Sequence, residues 1–488
     1  MMTFHWPQEK RSFMDETTAN TQDLYSVSAS NLLDLYEWKT VSPVDVTRSV
    51  LKRIDEIDGD INAFSLVNRE AALKSAAESE KRWARGEARG AVDGIPVTIK
   101  DIVKTKDWPM MRGSRTGRDD QVLDEDAPAV ARLREHGAIF IGRTTTPEFG
   151  WKGVTDSPLT GITRNPWDTS KTSGGSSGGA AAAAALGMGA LHLGSDGGGS
   201  VRIPAGFCGI FSLKPTSGRV PVYPASIFGS LSHLGPMTRT VDDAALMMNV
   251  LIEPDSRDWY SLPYDPWDYR TGLELGVRHL RIGLSVDLGY ANVDPEVAAA
   301  VRAAAQVFGD LGATVEEVVP IFDSPLDCFN RHWHLACRRL VKSYSAQDQA
   351  LMDPGLISLV EQAASITLAD YQDAIDDRVA LGQKMNAFHE TYDLLLTPTL
   401  PSPAFDAGAQ VADPSRQNLW PDWTPFSYPF NLTGQPACNA PCGLTTAGLP
   451  IGLQIIGPRY ADPLVMRAAA AFENVKPFLM PSKPNPNR

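Results

Sequence analysis

Apolar residues along the chain follow two periods, and stretches of the two kinds alternate. After Ser42-Pro43, residues Val46, Val50, Ile54 and Ile57 recur at helical spacing. With serine as N-cap and proline in the first turn, this predicts a helix with one buried stripe. A second helix, rich in Ala, Glu and Lys, is predicted from about Arg69 to Arg85. Short apolar runs then stand between helical stretches: GIPVTIK at 94–100, AIFIG at 138–142 after a helix near 127–136, ALHLG at 190–194 after an alanine-rich helix, FSLKP at 211–215 and LRIGLSV at 280–286. Asp294-Pro295 opens a helix to about Leu311, and ATVEEVV follows as a strand. Helices near 328–346 and 368–391 precede the buried run DLLLTP. PACNAPCG and PIGLQIIG close the series, before a final helix from about Asp462 to Glu473. Strands alternating with helices predict an α/β layered fold around one sheet. No solenoid-period repeat or low-complexity linker interrupts it. The simplest organisation is one domain over 25–488, carrying helical cap elements around 322–391. The polar, aperiodic residues 1–24 are expected to form a tail or arm.

Composition narrows the partners more than the fold. The 488 residues carry 58 acidic against 45 basic side chains, a formal charge of −13. That balance disfavours nucleic acid or an anionic membrane as the main partner. Five cysteines, few and odd in number, fit reduced thiols in a cytoplasmic protein rather than a disulfide framework. The N-terminal stretch lacks the apolar core of a signal peptide. The most apolar long run, Ala180 to Leu191, is too short and too rich in Ala and Gly to span a bilayer.

Chemistry concentrates in one stretch, TSGGSSGGAAAAAALGMGALHLGSDGGGSVRIPA at 172–205, where two glycine loops flank the alanine helix. Neither loop has the lysine of a phosphate-binding G-x-x-x-x-G-K-[ST] loop, and no strand precedes the first as a dinucleotide fold requires. Gly174 to Gly178 formally matches G-x-S-x-G with Ser176 at the elbow, but the preceding strand is missing. His389, the histidine a Ser-His-Asp esterase would need, falls on a charged amphipathic helix where a solvated position accounts for it. Cys328, His332, His334 and Cys337 resemble a metal cluster on paper. On a helix, however, positions 332 and 334 diverge by about 200°, so they share no face. Cys438 and Cys442 read as small apolar fillers. Acyl transfer by a serine without histidine remains, and an amine of lowered proton affinity can serve as its base. Lys100, ending the apolar run GIPVTI, is the odd residue that suits this role. Taken alone it reads better as a snorkelling strand-end lysine or a buried ion-pair partner of Asp101; beside the two serine loops the reading as a base is the better one.

These residues together resemble the amidase signature family of amide hydrolases. The resemblance rests on GGSSGG at 174–179, GSDGGGSVRIPA at 194–205 and CGIFSLKPTSGRV at 208–220. GIPVTIKD around Lys100, TRNPWD at 163–168, LGPMTRTVDDAALM at 234–247, LLLTPTLPSPA at 394–404 and FNLTGQPACNAPCG at 430–443 extend it. It implies a large mixed β-sheet covered by helices on both faces, and a Ser–cis-Ser–Lys triad. Carried over by motif position, Ser200 is the nucleophile, Ser176 the bridging serine in a cis linkage and Lys100 the base. Gly197, Gly198, Gly199 and Ser200 would offer backbone N–H groups as an oxyanion hole. Gly175 would give the backbone room, Ser177 would serve as a loop and helix-cap residue, and Asp196 and Arg202 would brace the loop. No cofactor and no metal is implied.

Three positions depart from the family pattern: Ser195 where threonine is common, Ser173 where proline is common, and Gly197 where a side chain is usual. The third glycine either loosens the oxyanion hole or leaves room for a bulky acyl group. The implied activity is hydrolysis of amides, extending to anilides, carbamates (urethanes) or esters, on small-molecule substrates and by a monomer or homodimer. A glutaminase subunit of a tRNA-dependent amidotransferase has the same triad, and with it alone would nucleic acid enter the picture. A binding-only scaffold is the non-enzymatic alternative. Aromatic content and chain position place the acyl pocket at Phe149–Pro158, Tyr223–His233 and 322–346, with Trp420–Tyr428 opposite.

Overall fold

The structure, a computed structural model, describes residues 23–117, 122–319 and 321–481. The expected tail lies outside them except for Asp23 and Leu24. Leu24 is buried, so packing begins before residue 25. The predicted helices form close to their expected limits: Pro43–Ile61, Arg69–Arg85, Pro128–Glu135, Gly178–Ala185, Pro295–Asp310, Leu326–Val341, Leu368–His389 and Asp462–Val475. Ser42 caps the first of these with a capping box closed by Asp45, which satisfies two of the N–H groups a helix start leaves free.

Among the described residues, eleven strands form one mixed sheet. In spatial order they are Phe64–Val67, Ile139–Thr144, Pro96–Lys100, Leu191–Asp196, His233–Thr238, Phe211–Lys214, Ala437–Leu444, Pro450–Ile456, Leu394–Pro398, Arg281–Leu284 and Thr314–Glu317. Two strands escape the sequence pattern, Phe64–Val67 and His233–Thr238. The second reads HLGPMT, with glycine and proline where a turn is the natural reading, yet it is buried along its whole length between neighbours at the centre of the sheet. There is no polar face to produce alternation, so period 2 is invisible.

Alternation along the strands sends side chains to opposite faces. Val97, Ile99, Leu191, Leu193, Leu394 and Leu396 join a core on one face. Ile139, Ile141, Leu395 and Ile456 join clusters on the other. Helices therefore cover both faces of the sheet. Thr98 and Lys100, one step out of phase with Val97 and Ile99, point to the second face, where the alanine helix Gly178–Ala185 packs with all eight residues buried. The helices between Leu326 and His389 share their own apolar cluster with Trp420, Trp423 and Tyr428. No helix among the described residues is long and apolar enough to cross a membrane.

Candidate active site

Strands Pro96–Lys100 and Leu191–Asp196 run parallel and adjacent, with Ile99 opposite Leu193. Their carboxyl ends coincide, the usual position for a site in an α/β sheet. Lys100 ends the first strand with no exposed surface. Its Nζ lies 2.6 Å from Ser176 Oγ, 2.9 Å from Ser177 Oγ and 3.0 Å from Ser195 Oγ. The Ser177 hydroxyl donates to the Ser195 carbonyl at 3.2 Å, so toward Lys100 it can only accept. A neutral amine has two N–H donors and one lone pair. Donation to Ser177 and Ser195 leaves the lone pair for the Ser176 hydroxyl. Burial favours that neutral form and holds the Lys100 pKa well below its ordinary value, while the Asp196 carboxylate pulls less strongly the other way.

The Gly175–Ser176 peptide bond is cis. A side chain at Gly175 would come within 2.6 Å of the Val154 backbone, so the loop passes here only without a Cβ. Ser177 occupies the N-cap position of the alanine helix, but its side chain makes no capping hydrogen bond. The hydroxyl is instead spent on Lys100 and the Ser195 carbonyl. Ser195 itself, marked in the sequence only as a departure, is the third oxygen around the amine.

Asp196 and Arg202 bracket the second glycine loop, both fully buried and joined through two contacts of 3.0 Å. Burial opposes the carboxylate charge, but the Arg202 guanidinium overrides it and holds Asp196 below the usual carboxylate range. Arg202 also donates to Ser427 O, Gln454 Oε1 and Asn431 Oδ1. Asn431 returns a hydrogen bond to Asp196 Oδ1 at 2.8 Å. These long-range partners carry no local signal in the sequence. Removing the guanidinium strands a buried charge, so Arg202→Met is expected to destabilise the protein by about 3–5 kcal/mol, read from the urea unfolding midpoint.

The same carboxylate corrects one oxyanion-hole assignment. Gly199 N–H donates to Asp196 Oδ1 at 2.8 Å, so it is committed to the brace. Gly197, Gly198 and Ser200 are left as candidate donors. Gly199 has φ +130°, and a Cβ there would collide with the Ser427 side chain, so glycine is required at this position. Ser177 N–H donates to Ser200 O at 3.1 Å, tying the two glycine loops together.

Ser176, Ser195, Gly197 and Ser200 line one cavity of about 200 Å³. Of the expected pocket segments, Phe149 and Gly150, Tyr223 to Phe228, Ser232, Trp333 and Leu340 line it. Trp420–Tyr428 does not. Trp420 packs edge-on against Trp333 and Phe329, and the Ser427 hydroxyl donates to Gly198 O from behind at 2.6 Å. Ile102, Val103, Met110 and Arg112 also line the cavity. They carry no signal in the sequence, because the loop after Lys100 has neither periodicity nor an aromatic cluster. His389 is engaged elsewhere, with Tyr392 O and Gln435 Nε2 on its two nitrogens, and is not part of the lining. A second buried lysine, Lys214, has its pKa pushed down to about 7 by burial and by Arg202. It donates to the carbonyls of Pro215 and Gln435 and reaches no serine of the cavity.

Known proteins resemble this chain over most of its length. The family model described as Amidase matches residues 45–466. The chain is 36% identical over 467 residues to an acylamidase of Rhodococcus erythropolis, covering 94% of this chain and 97% of that one. It is 36% identical over 476 residues to a glutamyl-tRNA(Gln) amidotransferase subunit of Moorella thermoacetica, covering 92% and 97%. The structure of a bacterial aryl acylamidase of the amidase signature enzymes superposes with a TM-score of 0.86 at 31% identity, over 92% of this chain and 96% of that one. The protein is a hydrolase acting on carbon–nitrogen bonds. It belongs to the amidase signature family.

Proposed function

We propose that the protein is a stand-alone hydrolase of small amides, with anilides, carbamates and esters within its reach, and that it works through an acyl-enzyme on Ser200. The observation that carries this reading is the buried Lys100 amine held 2.6 Å from the Oγ of Ser176, a serine that lines the same cavity as Ser200. Neutral Lys100 takes the proton of Ser176 as Ser176 takes that of Ser200, and Ser200 Oγ bonds to the substrate carbonyl carbon. The negative charge moves to the carbonyl oxygen, against the N–H groups of Gly197, Gly198 and Ser200. One such donor is worth about 2.7–4 kcal/mol. The tetrahedral species collapses by breaking the C–N bond, and the relayed proton returns through Ser176 to the leaving amine. Water then attacks the acyl-enzyme, losing its proton to the same relay. The free acid departs, and Ser200 recovers its hydrogen.

Among the described residues the cavity lining contains no Asp or Glu. Free glutamine carries an ammonium group that a glutaminase site must match, and the lining offers it no carboxylate, although Lys104 and Arg112 stand in it as cations; the unmatched ammonium weighs against the amidotransferase reading. The N-terminal tail would then be dispensable for chemistry, and the remainder would act as one domain. The isolated protein is expected to be labelled by a fluorophosphonate at Ser200, and to hydrolyse simple anilides or carbamates at least tenfold faster than glutamine. Labelling that survives at full level in Ser200→Ala would refute the assignment, and glutamine as the preferred substrate would restore the amidotransferase alternative.

A further inference from the structure

Gly197 does not stand beside open space. A Cβ at this position would lie 3.1 Å from Trp333 Cζ3 and 3.4 Å from Cη2, so the missing side chain is what admits the indole against the loop. Trp333 is only 1% exposed, and its position is determined on several sides. Its Nε1 donates to Trp151 O at 3.1 Å. Phe228 stacks on it at 3.8 Å with 9° between the planes, and Phe329 packs at 5.4 Å. Trp420 meets it edge-on at 5.2 Å. Both Trp333 and Phe228 line the cavity together with Ser200, and Phe149, Ile102 and Leu234 add to its apolar surface. The volume of about 200 Å³ compares with the ~150 Å³ apolar cavity that accommodates benzene. It has room for one ring and the amide unit, and it opens to solvent. A rigid aromatic wall rewards a flat ring in offset-stacked or edge contact more than a puckered one of equal size.

We propose that the Trp333–Phe228 pair, admitted by Gly197, selects substrates with a flat aryl ring bonded directly to the scissile amide unit. The inference rests on the Ser200 acyl-enzyme reading for its chemistry, and it names the substrate class of that site. The ring can sit on the acyl side or on the leaving amine, and matched substrate pairs separate the two. Benzamide against cyclohexanecarboxamide tests the acyl side, and acetanilide against N-cyclohexylacetamide tests the amine side.

The expected result is a preference in kcat/KM of at least tenfold for the flat member of one pair. That preference should fall below about threefold in Phe228→Leu and in Trp333→Leu. Phe228 is only half-buried, so its variant keeps the test open should the Trp333 variant fail to fold. Binding of the same pairs to Ser200→Ala protein, followed by calorimetry, reads ring selectivity without turnover. Equal kcat/KM within both pairs, or a preference unchanged in both variants, overturns the proposal. If ring-selective binding persists but fluorophosphonate labelling is absent, the wall stands and the acyl-enzyme reading fails. If labelling is present without ring selectivity, the reverse holds.

Discussion

Ser200→Ala is expected to lower turnover of any amide substrate by at least ~10⁴-fold, with no loss of folded stability. The substitution deletes one hydroxyl at the wall of a cavity. The backbone contact that Ser200 makes, accepting from Ser177 N–H, is retained, and so is the buried Asp196–Arg202 brace. What disappears is the atom that bonds to the carbonyl carbon, and the remaining N–H donors can then act only on attack by water. In serine acyl transfer, loss of the nucleophile typically leaves a residual acceleration of about 10³–10⁴ over water. A 10⁴-fold loss corresponds to about 5.4 kcal/mol of transition-state stabilisation. Single-turnover kinetics with a chromogenic anilide, beside urea unfolding of the same preparation, would separate chemistry from stability. Retention of more than a tenth of parental turnover would remove Ser200 from the mechanism.

Lys100→Met is expected to reduce kcat by about 10³-fold, within the range general-base catalysis supplies. Methionine fills similar volume but offers no lone pair to Ser176. Its effect on pH dependence is more diagnostic than its size. Burial holds the Lys100 pKa well below the ordinary lysine value, and only the neutral amine can take the Ser176 proton. In the parent, kcat/KM should therefore fall as pH drops through that lowered pKa, and this acid limb should be absent from the residual activity of Lys100→Met. Stability carries the same signature with a fixed sign. Between the lowered folded pKa and the ordinary unfolded value, the unfolded chain binds a proton that the native state lacks. Stability of the parent thus rises with pH across that window, and the part due to Lys100 vanishes in the variant. Urea midpoints across pH for both proteins would check it. An unchanged acid limb in Lys100→Met would assign the titration to another group, with Lys214 the first to examine.

Several elements were legible because their signal is local. Ser42-Pro43 with Asp45 makes a cap within four residues, and the stripe from Val46 to Ile57 lies on a single helix, so neighbouring residues suffice to predict it. The glycine loops and the lysine closing GIPVTI were visible as anomalies. Their motif spelling resembles that of a family, and it singles out Lys100, Ser176 and Ser200 from sequence alone. HLGPMT failed the same reading because a strand buried on both faces needs no alternation, and its proline and glycine imitate a turn.

The chain alone thus determined which residues are unusual: a lysine inside an apolar run, and serines among glycines. Tertiary structure decided what each one touches. Lys100 meets Ser176, Ser177 and Ser195 across 76, 77 and 95 residues of sequence, because the strand ending at Lys100 pairs with the one ending at Asp196. Gly199 N–H is withdrawn from the oxyanion hole by a carboxylate three residues earlier, which Arg202, Asn431 and the Ser427 segment hold in place. Gly197 makes room for the indole of Trp333, which lies far along the chain. Periodicity reports which face of an element is buried. Only the order of strands in the sheet, and the helices laid over it, bring groups far apart in the chain within hydrogen-bonding distance.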